Sequence, residues 1–318
     1  MSGIGRIFGG RRERGGREGR EARDAKRQAS QEVDSSAEKS AEHESVQRPA
    51  AMALWTDSHC HLQHIDTDDE VRAVLARAEE VGTRRVVVVG TDAPSSRRAV
   101  DIASMPAQDG PGSTEVWATV GLHPHDSSMG TAAVRNFLEE VGAQGFSASR
   151  VVGVGECGLD FHYDHSPWPA QRRAFAEQVR MAHELGLALV VHTREAWEDT
   201  FAILESEGVP QRTIFHCFTG GPGEAERCLT LGAYLSFSGI VTFATAEELC
   251  AAAALTPLDR MLIETDSPFL TPVPYRGKPN EPCYVPVVGE AMARLKGEDP
   301  GELARATSAN ASVVFDLH

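Results

Sequence analysis

The sequence lacks the features that mark several other classes of protein. Its 318 residues contain no run of about 18 apolar residues, the length that a membrane-spanning helix needs. Its Gly- and Arg-rich beginning has no apolar stretch of the kind found in a secretory signal. The six cysteines are scattered and form no Cys-X-X-Cys pair, which is typical of reduced thiols. These absences predict a cytoplasmic protein that does not cross a membrane.

Positive charge is scarce in most of the chain. The formal net charge is -15, although residues 1–50 hold 11 Lys and Arg against 9 Asp and Glu. The remaining residues therefore carry a net charge of about -17. Non-specific nucleic-acid binding depends on Lys and Arg at the phosphates, so an acidic body argues against that class. A nucleic-acid substrate stays compatible with it, because bound divalent cations would reverse the local charge.

Residues 1–50 differ from the rest of the chain in composition. They are rich in Gly, Arg, Glu, Ser and Gln and hold almost no aromatic or β-branched residues. Such a segment buries too little apolar surface to offset its ordering entropy, which predicts a disordered tail. A basic arm for nucleic acid from Arg6 to Arg27 is one alternative, and a natural start at Met52 is another. The folded domain is expected over residues 53–318.

From residue 53 onward, β-rich runs alternate with amphipathic stretches. The amphipathic stretches include Glu70–Val81, Ala132–Val141, Pro169–Leu185 and Ala196–Glu207. The predicted strands are 54–59, 84–90, 116–121, 151–156, 187–192, 212–216, 233–237 and 260–265. This alternation predicts βαβ units and a parallel sheet. Eight units favour an α/β fold of the (β/α)8 TIM-barrel type over an open sheet, and no GxGxxG or Walker motif follows the first strand.

Residues that could carry chemistry follow six of the eight predicted strands. In such barrels the catalytic groups gather at the carboxyl ends of the strands. The candidates are His59, His61, His123, His125, Glu156, Asp160, His192, Arg194, His216, Glu264 and Asp266. A lone histidine at a strand end is more often structural, but this many on one face predict a metal centre. Four imidazoles with two carboxylates suit two cations, and Glu156, midway round the barrel, is the natural bridging ligand.

Several neighbours of the candidate ligands are expected to be structural. Cys60, Cys157 and Cys217 each adjoin a candidate, and adjacent residues of a strand face opposite sides. We therefore expect these cysteines to pack between barrel and helices rather than to bind metal or form disulfides. Asp57 shares the face of the first two histidines but lies deeper in the strand, which favours support over ligation.

Seven motifs, taken together, resemble the TatD family of metal-dependent deoxyribonucleases. They are Asp57-Ser-His59-Cys-His61-Leu, Gly121-Leu-His123-Pro-His125, Gly155-Glu156-Cys-Gly-Leu-Asp160, His192-Thr-Arg194, His216-Cys-Phe-Thr-Gly220, Glu264-Thr-Asp266-Ser-Pro268 and Pro274-Tyr-Arg276-Gly-Lys-Pro-Asn280-Glu281-Pro. They stand in the family's order from about residue 53 to the end, and the ordered set is highly specific. The resemblance implies a TIM barrel that hydrolyses phosphodiester bonds of DNA, often in the 3′–5′ direction.

The resemblance also implies a set of metal ligands. It places one divalent cation (Mg, Mn or Zn) on His59, His61, Glu156 and Asp266. It places the second on Glu156, His192 and His216. Two cations about 4 Å apart can clamp the attacking and leaving oxygens of a displacement and acidify a bound water. Asp266 would ligate and also accept the proton of that water. Asp160 is expected to orient a ligand or a loop rather than to bind metal itself.

Four residues are expected to contact the substrate. Arg194 and Arg276 are predicted phosphate clamps, since a guanidinium binds two phosphate oxygens at once; a salt bridge at the barrel rim is the alternative. His123 and His125 could donate to a phosphate, while His125 could instead brace its loop. Arg276 lies in the Pro-rich loop 267–286. The length of this loop favours a functional role over the active face, and packing of the loop alone is the alternative. The expected partner is a DNA strand, single-stranded or entered at its 3′ end.

Three alternatives stay open at this point. The first is an amidohydrolase or lactonase acting on a small cyclic substrate. Those barrels often bridge their metals with a modified lysine at strand four, where this chain offers Glu156 and no Lys. The second is cleavage of the ester of aminoacyl-tRNA, which is chemically close. The third, a metal-dependent scaffold without activity, fits an intact ligand set least well.

Overall fold

The computed structural model describes residues 53–106, 113–163 and 165–317. The predicted tail, residues 1–50, lies outside the described residues, so its disorder stays a prediction. Every element named below belongs to the domain expected from residue 53 onward. None of the helices in the described ranges is long and apolar enough to cross a bilayer.

Eight parallel strands, paired in the order of the chain, form the sheet. They are β1 (Trp55–Cys60), β2 (Thr83–Val89), β3 (Glu115–Val120), β4 (Val151–Asp160), β5 (Ala188–Arg194), β6 (Thr213–Phe215), β7 (Tyr234–Phe237) and β8 (Met261–Ile263). Backbone bonds just after β8 join it to β1: Asp266 N–H donates to His59 O at 3.0 Å and His61 N–H to Ser267 O at 2.8 Å. The predicted TIM barrel is confirmed.

Helices connect the strands and surround the barrel. In the described ranges they are α1 (Asp68–Glu80), α2 (Ala93–Ala103), α3 (Ala132–Gln144), α4 (Trp168–Leu185), α5 (Trp197–Glu207), α6 (Pro222–Thr230), α7 (Glu247–Leu255), α8 (Val285–Lys296) and α9 (Pro300–Phe315). The four predicted amphipathic stretches correspond to α1, α3, α4 and α5, with ends that coincide or differ by at most three residues. The helical periodicity therefore located these segments correctly.

Alternation along β2 separates an inner from an outer apolar layer. Val87 and Val89 belong to a buried cluster with members on seven strands, which only the barrel interior can bring together. Val86 and Val88 pack instead against α1 and α2. Asn310 of α9 donates to Met261 O at the beginning of β8, so α9 lies at the amino end of the barrel. The carboxyl ends of the strands are left for polar residues.

Some details differ from the sequence-based expectation. β4 continues four residues past the predicted end at position 156, because glycines let it stay paired with β5. Cys60 and Cys157 are buried in apolar clusters, as predicted. Cys217 is only half-buried, and its Sγ lies 3.3 Å from the Ser238 hydroxyl oxygen. Its expected apolar packing is therefore wrong, since this thiol sits beside a polar group.

Candidate metal centre

The ends of β1, β4 and β8 bring a first set of donor atoms together. His59 Nε2 lies 3.3 Å from His61 Nε2. Glu156 Oε2 lies 3.4 Å from His59 Nε2 and 3.7 Å from His61 Nε2. Asp266 Oδ1 lies 3.2 Å from His61 Nε2 and 3.7 Å from His59 Nε2. Donors that bind one ion tetrahedrally at about 2.1 Å would stand about 3.4 Å apart. The spacing of this first set therefore fits a single cation.

The other carboxylate oxygen of Glu156 faces a second set. Glu156 Oε1 lies 2.8 Å from His192 Nδ1 and 2.8 Å from His216 Nε2. These two ring nitrogens are 3.1 Å apart. All six residues that the sequence suggested as ligands thus converge, with one oxygen of Glu156 directed at each set.

In three groups of three residues, the potential donor atoms all lie within 4.8 Å of one another. The groups are His59–His61–Asp266, His123–Glu156–His192 and His59–His216–Glu264. The first two follow the two sets already described. In the third, Glu264 Oε1 already accepts the Cys217 N–H at 2.8 Å and lies 3.3 Å from His216 Nδ1. We therefore assign Glu264 to the support of His216 rather than to ligation.

Burial and mutual attraction set the ionisation of this centre. Burial opposes the charged form of Glu156, but the neighbouring histidines, His216 foremost, hold the pKa of Glu156 well below its ordinary value. Burial likewise opposes protonation of His216, but Glu156 and Glu264 raise the pKa of His216 well above its ordinary value. In the metal-free chain, protons therefore occupy positions that cations would take. Metal binding has to release them.

Two carboxylates orient the histidines of the second set. Glu264 Oε1 faces His216 Nδ1, the nitrogen turned away from Glu156. Asp160 Oδ2 lies 3.6 Å from His192 Nε2, again the nitrogen on the far side of the ring. Such partners fix the tautomer so that the inner nitrogen offers its lone pair. The sequence predicted this role for Asp160 but assigned none to Glu264. The available signal was its position two residues before Asp266.

Gln63 and Asp57 hold the two histidines at the end of β1. Gln63 Nε2 lies 2.9 Å from His61 Nδ1, and the Gln63 amide oxygen has no partner among the described residues. Turned over, this amide would accept the Nδ1 proton and leave Nε2 free. Asp57 accepts the Thr265 hydroxyl at 2.5 Å, the Thr265 N–H at 2.9 Å and the His59 N–H at 3.3 Å. Asp57 therefore supports the site from below, as expected.

Two glycines let β4 pass close to β5 on either side of Glu156. Gly155 has φ +142° and Gly158 has φ +144°. A Cβ at Gly155 would lie 2.6 Å from the Val190 carbonyl oxygen, and one at Gly158 would overlap the His192 carbonyl oxygen. Only glycine tolerates both this backbone conformation and this approach. The two strands are thereby close enough for Glu156 to contact His192.

His123 has the tautomer of a hydrogen-bond donor. Its Nδ1 accepts the His125 backbone N–H at 3.2 Å, and a backbone amide can only donate. Burial lowers the pKa of His123 to about 4, so the ring is neutral near pH 7 and carries its proton on Nε2. This nitrogen lies 3.5 Å from Glu156 Oε1. A protonated nitrogen does not ligate a cation, which favours the donor role over membership of the second set.

His125 is held by its own loop. Its Nε2 lies 2.9 Å from Asp160 Oδ2, and its backbone carbonyl accepts the Ser166 hydroxyl at 2.7 Å. The geometry favours the bracing alternative for His125, because its Nε2 is already paired with Asp160. Its contact with a phosphate stays a prediction.

The two candidate phosphate clamps differ in their surroundings. The Arg194 guanidinium lies 4.7 Å from the centre of the Tyr163 ring. The Arg276 guanidinium lies 4.3 Å from the centre of the Phe243 ring, and its Nη1 donates to the Thr271 carbonyl at 3.2 Å. In the described ranges neither arginine forms an ion pair, so the rim salt bridge expected as their alternative role is not found there. Their contact with phosphate stays a prediction.

The loop after β8 is tied down by its own residues. Asn280 Nδ2 donates to Thr265 O at 2.8 Å and to Phe269 O at 2.6 Å. Glu281 pairs with Arg77 of α1, with a shortest N–O distance of 2.7 Å. These contacts hold the backbone that follows Asp266. They give Asn280 and Glu281 structural roles.

Comparison with known proteins agrees with this geometry. Residues 56–316 match the family described as TatD related DNase. The chain belongs to the TatD family. A relative from Bacillus subtilis (strain 168), the uncharacterized metal-dependent hydrolase YabD, is 38% identical over 82% of this chain and 99% of its own length.

Two further members extend the comparison. The 3′–5′ ssDNA/RNA exonuclease TatD of Shigella flexneri serotype 5b is 35% identical, over 79% of this chain and 94% of its own. The crystal structure of YjjV, a TatD homolog from Escherichia coli K12, superposes with a TM-score of 0.76 and 26% identity, covering 84% of this chain and 100% of that one. The protein is thus a metal-dependent hydrolase of the TatD family, with His, Asp and Glu clusters able to bind metal.

Proposed function

We propose that this protein hydrolyses phosphodiester bonds of DNA, working 3′–5′ on single strands with two divalent cations. The observation that carries the proposal is the split carboxylate of Glu156. Its Oε2 faces His59 and His61, while its Oε1 faces His192 and His216. A carboxylate with histidines at both oxygens is suited to bridge two ions. The name of the Shigella relative, an exonuclease on ssDNA and RNA, supports the substrate class.

The proposed ligand sets are those with the spacing described above. His59, His61 and Asp266 would share one cation with Glu156, while His192 and His216 would share the second with it. Bound cations would supply charge neutralisation at the transferred phosphate and a more acidic water. The imidazole-rich donor set suits Zn or Mn, and the carboxylates with a phosphate substrate suit Mg.

The side chains around the ligands would handle protons and phosphate charge. Asp266, whose pKa is lowered against burial by its contact with His61, stays ionised near neutral pH and would accept the proton of the attacking water. His123 would donate its Nε2 proton to a phosphate oxygen. Arg194, which has no ion-pair partner in the described ranges, would bind the same phosphate or its neighbour.

Ester or amide hydrolysis of a small substrate is the alternative. A metal-activated water can attack a carbonyl as well as a phosphorus centre, so the ligand set alone does not choose. The absence of Lys from β4, where Glu156 stands, favours the nuclease branch over the lactonase branch. The positive charge of Arg194 also suits a phosphate substrate better than the uncharged cyclic substrate of a lactonase.

The proposal is tested by digestion of end-labelled oligonucleotides. Metal-free protein would be incubated with 3′- and 5′-labelled single-stranded and duplex DNA in Mg, Mn or Zn. Release of mononucleotides from the 3′ label first, with the single strand preferred, is the expected result. Bis-p-nitrophenyl phosphate and an aminoacyl ester would be assayed in parallel. Ester turnover without cleavage of any DNA would overturn the proposal in favour of the alternative.

A further inference from the structure

Two exposed aromatic side chains stand beside the metal centre. The large apolar side chains that are exposed in the described ranges include three aromatic ones: Tyr163, Trp168 and Phe269. Tyr163 (43% exposed) and Phe269 (55% exposed) both contact histidines of the site. An aromatic ring left in solvent forgoes a large gain from burial. Rings in this position are suited to a ligand that has flat faces of its own.

The Phe269 ring is fixed next to the first donor set. Its centre lies 6.1 Å from that of His61, with the ring planes at 69°. The backbone around it is held at both ends, because Phe269 N–H donates to Asp266 O at 2.9 Å and Phe269 O accepts from Asn280. The edge contact with His61 leaves ring surface open to solvent. A fixed open ring is a stacking platform that needs little ordering when a base arrives.

Tyr163 lies next to Asp160, the carboxylate that orients His192 of the second donor set. Its backbone N–H donates to Asp160 Oδ1 at 3.0 Å, and its ring lies edge-on to His125 at 5.7 Å. The Arg194 guanidinium lies against the ring at 4.7 Å. Tyr163 is therefore anchored to the same carboxylate that orients His192. The His165 ring also lies 5.7 Å away with its plane at 24°, and Tyr163 is still 43% exposed. Arg194 is suited to phosphate, and the exposed part of the Tyr163 ring is suited to the base.

The barrel places these two rings on opposite sides of the ligands. Tyr163 follows β4 and Phe269 follows β8. In an eight-stranded barrel paired in chain order, these two strands face each other across the axis. A DNA strand that lies across the carboxyl ends of the β-strands therefore meets one aromatic ring on each side of the phosphodiester bond above Glu156. Stacking also supplies affinity that an acidic body cannot obtain from phosphate contacts alone.

We propose, on the basis of the proposed nuclease function, that Phe269 and Tyr163 each stack one of the two nucleobases that flank the cleaved bond. This pair of subsites accepts any base, because every base has a π-face. It also requires unpaired nucleotides, since a paired and stacked base has no free face to offer. The subsites thus provide a physical origin for single-strand selectivity without base-specific contacts.

The test combines aromatic variants with abasic substrates. Phe269→Ala and Tyr163→Ala would be compared with wild type, with Tyr163→Phe, and with Val313→Ala, an exposed apolar position on α9. The substrates are one single-stranded oligonucleotide and two copies with a tetrahydrofuran abasic residue at the last or the penultimate 3′ position. Each alanine variant should lose roughly 5- to 100-fold in kcat/KM on the complete strand, chiefly through KM. Tyr163→Phe, which keeps the ring, should recover most of the activity that Tyr163→Ala loses, and Val313→Ala should stay near wild type.

The position of the abasic residue decides the outcome. The defect of each alanine variant should vanish on one abasic strand only, and the two variants should differ in which strand that is. Equal defects on all three strands, or no defect at all, would overturn the stacking subsites while leaving the nuclease function intact. A wild-type enzyme that cleaves none of the strands would overturn both. Circular dichroism melting of each variant separates lost binding from lost folding.

Discussion

At the scale of single residues, the site depends on side chains that hold the histidines as much as on the histidines. His216 is directed by Glu264, His192 by Asp160, and β1 is tied to the end of β8 through Asp57 and Thr265. Outer partners of this kind fix ring orientation and the nitrogen that offers its lone pair. Their removal should therefore change metal affinity without removing any ligand.

Glu264→Ala should weaken binding at the second set. Without the carboxylate that faces His216 Nδ1, neither the orientation of the His216 ring nor its tautomer is fixed. The affinity for one cation should therefore fall by roughly 10- to 100-fold. Glu264→Gln, which keeps an acceptor, should lose less. Competition with a fluorescent chelator measures the affinity, and Glu290→Ala on the exposed face of α8 is the matched control. Unchanged metal affinity in Glu264→Ala would contradict the supporting role of Glu264.

Asp57 predicts a pH dependence of stability in the metal-free protein. Burial raises the pKa of Asp57 from 3.8 to about 8 in the folded state. The stability that this group contributes is therefore complete below about pH 4 and is lost as the pH rises through about 8. Asp57→Asn does not ionise, so its free energy of unfolding relative to wild type should increase between about pH 5 and pH 8.5.

Urea unfolding in the presence of EDTA measures this difference. Asp69→Asn is the control, because the Asp69 side chain is 98% exposed and should show no such trend. A constant difference between Asp57→Asn and wild type over this pH range would contradict the assignment of a buried, protonated carboxyl at position 57.

At the scale of secondary-structure elements, β4 is the segment on which the site geometry depends most. It carries Glu156 and Asp160, and its glycines allow the approach to β5. The predicted end of β4 at position 156 was too early, because glycine is a weak strand former and interrupted the apolar run. The sequence pattern does not show that carbonyl oxygens of β5 occupy the space that a side chain would need at these glycines.

Gly158→Ala should destabilise the barrel and separate β4 from β5. The new Cβ would overlap the His192 carbonyl oxygen, and φ +144° disfavours any side chain. A loss of roughly 2–4 kcal/mol in the free energy of unfolding is expected. Gly223→Ala is the matched control, since a Cβ there meets no atom within 4 Å and the residue lies in α6. Equal stability of the two variants in urea would contradict this role of β4.

At the scale of the whole molecule, periodicity and residue type predicted the barrel and the ends of the strands where chemistry gathers. The apolar runs of β2 and β5 are long enough to be read directly, and βαβ topology then fixes which residues share a face. The roles of Glu264, Phe269 and Tyr163 depend on contacts between segments far apart in the chain. Such contacts follow from the closed barrel rather than from local pattern. The residue pattern therefore indicates none of them, apart from the position of Glu264 two residues before Asp266.

Metal binding should stabilise the entire barrel, because the donor atoms come from β1, β4, β5, β6 and the end of β8. A cation at about 100 times its Kd adds about 2.7 kcal/mol to the free energy of unfolding when it binds only the folded state. EDTA should therefore lower Tm, and Mn or Zn should restore it. An unchanged Tm across these conditions would mean that the donor set binds no ion tightly.

The proposed role of Glu156 is to join two cations into one hydrolytic centre. Isothermal titration of metal-free protein with Mn, run alongside single-stranded DNA cleavage, tests it most directly. A bridging Glu156 predicts that each chain binds two equivalents of Mn and that activity rises until the second has bound. Glu156→Gln should bind one equivalent at most and lose more than roughly 100-fold in kcat. Full activity at one equivalent, or an active Glu156→Gln that binds two, would contradict it.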